Sequence, residues 1–257
     1  MQVRILSAFL GRDKGQVPGI IKLAREERVG IVCLQEVMDH EVPLLEQEYS
    51  FVRYIPMTEF ANGMTMGLVT CTYFPVIGVS ERYFMGSASH LDIFDESSAE
   101  KVNATKRRPF LTCSIDIDRE SPFLNVANFH YPYSSDGNPN RDQDIVTEEL
   151  VYSDIAELSF VDVACIALVS PRGWQIYEKL TKKGILRIGF DDCVPVEIDC
   201  TIDLDLHKIG DKIREGRIPR IVTDFIFNHG HRFTVSSVEQ FHGVADHTPL
   251  VADIVRK

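Results

Sequence analysis

Short apolar runs rich in β-branched residues recur along the chain: VRILSAF (3–9), GIVCLQEV (30–37), GLVTCTYFPVI (67–77), FLTCSIDI (110–117), FLNVANFH (123–130), VDVACIALV (161–169), RIVTDFIFN (220–228) and PLVADIV (249–255). Runs of this length, closed by turn-forming residues, predict strands buried on one or both faces. Helical spacing is confined to three segments. VPGIIKLAREERVG (17–30) sets Ile20, Leu23 and Ala24 on one face. QDIVTEELVYSDIAEL (143–158) repeats Ile145, Leu150 or Val151, and Ile155, and GWQIYEKLTKKG (173–184) ends on a glycine stop.

The order is strand, helix, strand, a long strand-rich middle, then strands and helices again. A purely parallel winding alternates more strictly, so the pattern predicts an α/β chain with a mixed sheet or two packed sheets covered by helices. No internal repeat, linker or compositional break interrupts residues 1–257, which are read as a single domain. The turn-rich segment YPYSSDGNPNRD (131–142) follows the strand that ends at His130. Loops of this kind at strand ends are where α/β folds place their chemistry.

Composition narrows the classes. The chain has 257 residues, 44% hydrophobic and 25% charged, enough to build a sizeable core. No apolar stretch is long enough to span a bilayer and no signal core precedes the first charges, so an intracellular, cytoplasmic location is expected. Oligomeric state is not legible. Six cysteines at 33, 71, 113, 165, 193 and 200 lack metal-ligand spacing and read as free thiols. The formal charge of −11 argues against broad nucleic-acid binding, which needs a basic face. The runs KRR (106–108) and KIREGRIPR (212–220) could form a small basic rim but are read first as solvated surface charge. No phosphate-cradling glycine loop and no GxSxG occur, and His229, His231 and His242 have no known ligand spacing.

Polar groups cluster where apolar strands stop. Glu36 closes GIVCLQE, His130 closes FLNVANFH, Asp224 interrupts RIVTDFIF, and Asp246 and His247 precede TPLVADI. A carboxylate at the mouth of a buried strand is costly unless paired, hydrogen-bonded or bound to a cation. Each alone is read as structural: a turn cap at Glu36 or Asp246, a satisfied core histidine at His130. Their joint placement is what points to a site.

The ordered set IVCLQEV, GMTMGLVTCTYFPVI, KRRPFLTCSIDI, FLNVANFHYPYSS, NRDQ, RIVTDFIF and ADHTPLVADI resembles the endonuclease/exonuclease/phosphatase family across nearly the whole chain. That family includes DNase-I-like and abasic-site nucleases, tyrosyl-DNA phosphodiesterases, sphingomyelinases and inositol-phosphate phosphatases. The resemblance implies a four-layer α/β sandwich: two packed mixed β-sheets flanked by helices, with a site at one edge. It implies Glu36 and Asp246 as the metal-holding residues for Mg²⁺, with Mn²⁺ as a substitute. It implies His130, Asp224 and His247 as catalytic residues: His247 on the scissile phosphate, Asp224 fixing its imidazole, and His130 touching the phosphate from the other side. Hard oxygen ligands suit Mg²⁺, and an imidazole held by an acid stabilises developing charge.

Three positions depart from the family pattern. Phe9 stands where an Asn is expected, and Leu168 and Ser170 stand for the Asp and Asn of a GDxN segment. The groups that prepare the nucleophile are therefore replaced, and losing a general base typically forfeits ~10² to 10⁴ in rate. Two readings remain. One is a divergent Mg²⁺-dependent phosphoesterase cleaving a phosphodiester or phosphomonoester. The other is a catalytically inactive pseudoenzyme that binds a phosphorylated ligand or a protein partner. The ligand class, whether nucleic acid, nucleotide, phospholipid or phosphorylated metabolite, stays open.

Overall fold

The structure, a computed structural model, describes residues 2–12, 15–87, 89–119, 122–132, 160–167, 177–178 and 185–257. Twelve strands form two mixed six-stranded sheets. The first sheet contains β1 (Gln2–Phe9), β2 (Ile31–Met38), β3 (Phe51–Glu59), β4 (Thr65–Thr72), β11 (Phe233–Gln240) and β12 (Leu250–Arg256), in the order β11-β12-β1-β2-β4-β3. The second contains β5 (Val76–Tyr83), β6 (Pro109–Ile115), β7 (Leu124–His130), β8 (Val163–Ala167), β9 (Asp191–Asp192) and β10 (Asp224–Asn228), in the order β5-β6-β7-β8-β10-β9. The fold is the predicted pair of packed mixed sheets.

Alternation along the central strands explains the layering. In β1, Val3 and Ile5 face the core between the sheets, whereas Leu6 and Ala8 join a second apolar cluster. That cluster contains Val17, Ile20, Leu23 and Ala24 of helix α1 (Val17–Glu26), and Val42 and Leu45 of helix α2 (Val42–Glu48). The face predicted for residues 17–30 is thus the buried one. Pro at the first turn of each helix fits the orphan N–H positions there. Helices α2, α3 (Ala99–Thr105) and α4 (Gly210–Arg214) are short and were not foreseen. The helix read at 143–158 lies outside the described residues, as does most of 173–184.

A bulge in β2 shapes the strand edge around Glu36. The pairing of β2 with β4 slips between Leu34 and Val37, and Glu36 adopts φ +59°. Before the slip, Ile31 and Cys33 face the inter-sheet core and Val32 and Leu34 face the helices; after it, Val37 faces the helices and Met38 the core. One extra residue reverses strand parity. The left-handed backbone at Glu36 is uncommon for a non-glycine residue and is held by its surroundings. Chief among these is Asn128 of β7, fully buried, whose Nδ2 donates to the carbonyls of Leu34 (3.1 Å) and Val69 (2.8 Å). Its Oδ1 accepts from Gln35 Nε2 at 2.8 Å, so one amide from the second sheet satisfies the interrupted ladder of the first.

The six cysteines are free thiols, five of them buried. Among the described residues no helix is long and apolar enough to cross a membrane.

Candidate active site

The strand topology brings the candidate residues to one edge. β1 and β2 run parallel, as do β7 and β8, and each pair carries polar or aromatic residues at its C-terminal end. His130 is in register with Ala167 and Ala167 with Asp224, a row across the second sheet. His247 reaches the same edge from the first sheet, because β12 runs antiparallel to β1 and the His247 backbone N–H donates to the carbonyl of Phe9 at 3.4 Å.

His247 and Asp224 form a buried pair, Nδ1 to Oδ2 at 2.8 Å. A carboxylate only accepts, so the imidazole carries its proton on Nδ1 and presents Nε2 away from the acid. Thr223 Oγ1 also donates to Asp224 Oδ2 at 3.0 Å, while Oδ1 has no hydrogen-bond partner among the described residues.

His130 is held from the opposite side. Arg108, fully buried, places Nη1 3.0 Å from His130 Nδ1. Guanidinium has no acceptor, so Nδ1 accepts and the neutral ring carries its proton on Nε2. Burial, then the charges of Lys106 and Arg108, hold this imidazole well below its ordinary range, which keeps it neutral. Its Nε2 lacks a hydrogen bond among the described residues; Glu36 Oε1 is 3.5 Å away.

Glu36 is buried and forms an ion pair with Lys106 Nζ, itself buried. Arg12 Nε lies 3.9 Å from the other carboxylate oxygen. Burial pulls Lys106 below its ordinary range, against the raising effect of Glu36. The KRR run is therefore not solvated surface charge: Lys106 and Arg108 are buried in the site, and a carboxylate and an imidazole offset their desolvation. The second basic run stays at the surface, with Lys212, Arg214, Arg217 and Arg220 exposed.

Phe9 occupies the space between the two imidazoles, with ring centroids 5.5 Å from His130 and 4.3 Å from His247. Asp246 sits beside His247 in sequence, yet its carboxylate packs over Gly11 and lies 3.9 Å from His207 Nε2. Gly11 has φ +63°, and a Cβ there would collide with that carboxylate. His207 Nδ1 accepts from the N–H of Ile209, and its ring lies 5.6 Å from that of His247. The sequence reading missed Lys106, Arg108, Arg12, His207 and Asn128 as site residues. Leu168 and Ser170 lie outside the described residues.

The donors described around Glu36 do not fit a divalent metal. Mg²⁺ demands near-octahedral hard oxygen ligands. Around Glu36 stand an ammonium, a guanidinium and an imidazole N–H, and the Asp246 carboxylate is turned to Gly11 and His207. Among the described residues no group of three or more His, Cys, Asp or Glu is arranged to hold a metal ion.

No protein-family model and no curated protein matches this sequence. Solved structures do match its fold. An endonuclease/exonuclease/phosphatase from Bacteroides vulgatus aligns over 100% of both chains with TM-score 0.70 and 14% identity. The human Nocturnin catalytic domain, solved with a bound sulfate anion, aligns over 100% of this chain and 94% of its own, with TM-score 0.67 and 12% identity. A mannosyl-6-phosphatase from Bacteroides thetaiotaomicron aligns over 98% of this chain and 99% of its own, with TM-score 0.65 and 12% identity. The chain thus has the endonuclease/exonuclease/phosphatase fold.

Proposed function

We propose that this chain binds a phosphate-bearing ligand at the shared strand edge and does not hydrolyse it efficiently. The observation that carries the reading is His130 Nε2: a buried N–H donor, fixed in tautomer by Arg108, that makes no hydrogen bond among the described residues although Glu36 Oε1 stands 3.5 Å away. A buried donor left unsatisfied is costly, and a phosphate oxygen is the acceptor that the neighbouring Lys106 and Arg108 charges favour. The sulfate bound by Nocturnin and the substrate named for the mannosyl phosphatase support an oxyanion ligand on this fold. Phe9, packed between the two imidazoles, supports binding without turnover, because its ring excludes water where a nucleophile would be activated.

One observation favours a second reading, hydrolysis: the His247–Asp224 pair at 2.8 Å keeps the geometry of an oriented imidazole. Calorimetry with inorganic phosphate and a nucleoside monophosphate, beside hydrolysis of nitrophenyl phosphate mono- and diesters, separates the two. Binding weakened about tenfold in His130→Ala, worth ~1.4 kcal/mol, is expected, with hydrolysis at background in wild type and His247→Ala alike. Turnover lost in His247→Ala would establish the hydrolytic reading, and absence of any phosphate binding would sink the proposal.

A further inference from the structure

We infer that the Lys106 ammonium is the resident cation of Glu36, so that this strand edge is charge-balanced without a divalent metal. The inference shares its site with the proposed function but does not depend on which ligand binds there.

Both carboxylate oxygens of Glu36 are already fronted by donors or cations. Oε1 meets Lys106 Nζ and lies 3.5 Å from His130 Nε2, and Oε2 lies 3.9 Å from Arg12 Nε. A buried lysine is a strongly hydrated point charge taken out of water, which the fold sustains only with a partner. Here the partner set is built. Phe94 lies beneath both cations, its ring centroid 5.4 Å from Lys106 Nζ and 4.8 Å from the Arg12 guanidinium carbon. Arg12 is tied in turn to Glu96 at 2.7 Å.

The backbone delivers Lys106 to this position. Ser98 caps α3 by accepting from the Lys101 N–H, and the Lys106 N–H closes the helix on the carbonyl of Val102. Thr58 Oγ1, in β3, donates to the carbonyl of Thr105 at 2.7 Å, and the Arg107 N–H to that of Met57 at 2.7 Å. The helix end is therefore pinned to the first sheet, while the bulge in β2 turns Glu36 toward it. A metal bound to Glu36 would have to displace an ammonium already in contact, without help from the Asp246 carboxylate, which packs against Gly11.

Thermal melting with rising Mg²⁺ and Mn²⁺ tests this in wild type, Glu36→Gln, Lys106→Met and the double variant. Wild type and Glu36→Gln are expected to respond alike and negligibly. Lys106→Met is expected to melt lower in metal-free buffer and to regain about 5 °C when Mn²⁺ exceeds its dissociation constant a hundredfold; the double variant gains nothing. A wild-type rise abolished by Glu36→Gln overturns the inference, as does a folded Lys106→Met with no metal response. If Lys106→Met fails to fold, Mn²⁺ calorimetry on wild type and Glu36→Gln decides: no heat in either supports the inference, and binding confined to wild type overturns it. Loss of phosphate binding with a flat wild-type metal response would refute the proposed function and leave this inference standing.

Discussion

Arg108 donates to Nδ1 of His130 across 3.0 Å, and that single bond decides which face of the imidazole carries a proton. The ring is neutral, with Nε2–H directed away from the guanidinium. The same neighbourhood makes its protonation in the folded state unfavourable.

Stability should therefore depend on pH. The folded-state pKa of His130 lies well below 6.5, so between the two values the unfolded chain binds a proton that the folded chain refuses. Stability is fully present above about pH 6.5 and falls as the pH drops below it. Lowering the pH from 7 to 5.5 is therefore expected to weaken the fold through this group. Urea midpoints at the two pH values measure it, and His130→Gln is expected to lose that share of the slope. An unchanged slope would mean that the ring takes up its proton in the fold as readily as in the unfolded chain.

Asn128→Ala is expected to destabilise the protein by about 3 kcal/mol. It removes donations to the carbonyls of Leu34 and Val69 and, longer, to Thr70 Oγ1, with one acceptance, and leaves those carbonyls and the Gln35 amide buried without this partner. Because those groups border the bulge, the loss extends to the backbone at Glu36. Urea denaturation gives the magnitude, and faster amide exchange at Gln35 to Val37 than in wild type localises it.

Phe9→Ala is expected to cost about 3 kcal/mol, the usual range for deleting a buried aromatic ring. Phosphate affinity should hold or rise, since the ring fills space between the two imidazoles without donating to a ligand. A loss of phosphate affinity in a folded Phe9→Ala protein would show that the ring shapes the binding site instead of crowding it.

The interior of both sheets was legible and their borders were not. β1, β2, β4, β6, β7, β8, β10 and β12 each overlap one of the apolar runs that stand out in the sequence. The edges are β11 and β3 in one sheet, and β5 and β9 in the other. β11, β3 and β9 were not read as strands, and β5 only at its first residues. Edge strands face solvent along much of their length, so their apolar positions are diluted: β5 has no fully buried residue, and β3 contains Pro56, which a central strand would not tolerate.

At the site, the acid and imidazole positions were visible because polar groups stood out at the ends of apolar runs. Lys106 and Arg108 were not, since a basic run before a strand reads as surface charge until its partners are known. Asn128 was hidden inside FLNVANFH, where its meaning depends on a bulge in β2, far earlier in the chain. The clue was an amide within a largely apolar stretch.

The chain order of the first sheet has a consequence for synthesis. β1 lies between β2 and β12, so one side of Gln2–Phe9 has no mate until Leu250–Arg256 has been made, with the whole second sheet produced in between. During translation a hydrophobic border of the nascent molecule stays open to other strands, and closure over so long a loop is slow. Full-length product should therefore depend on whatever shields that border on the ribosome.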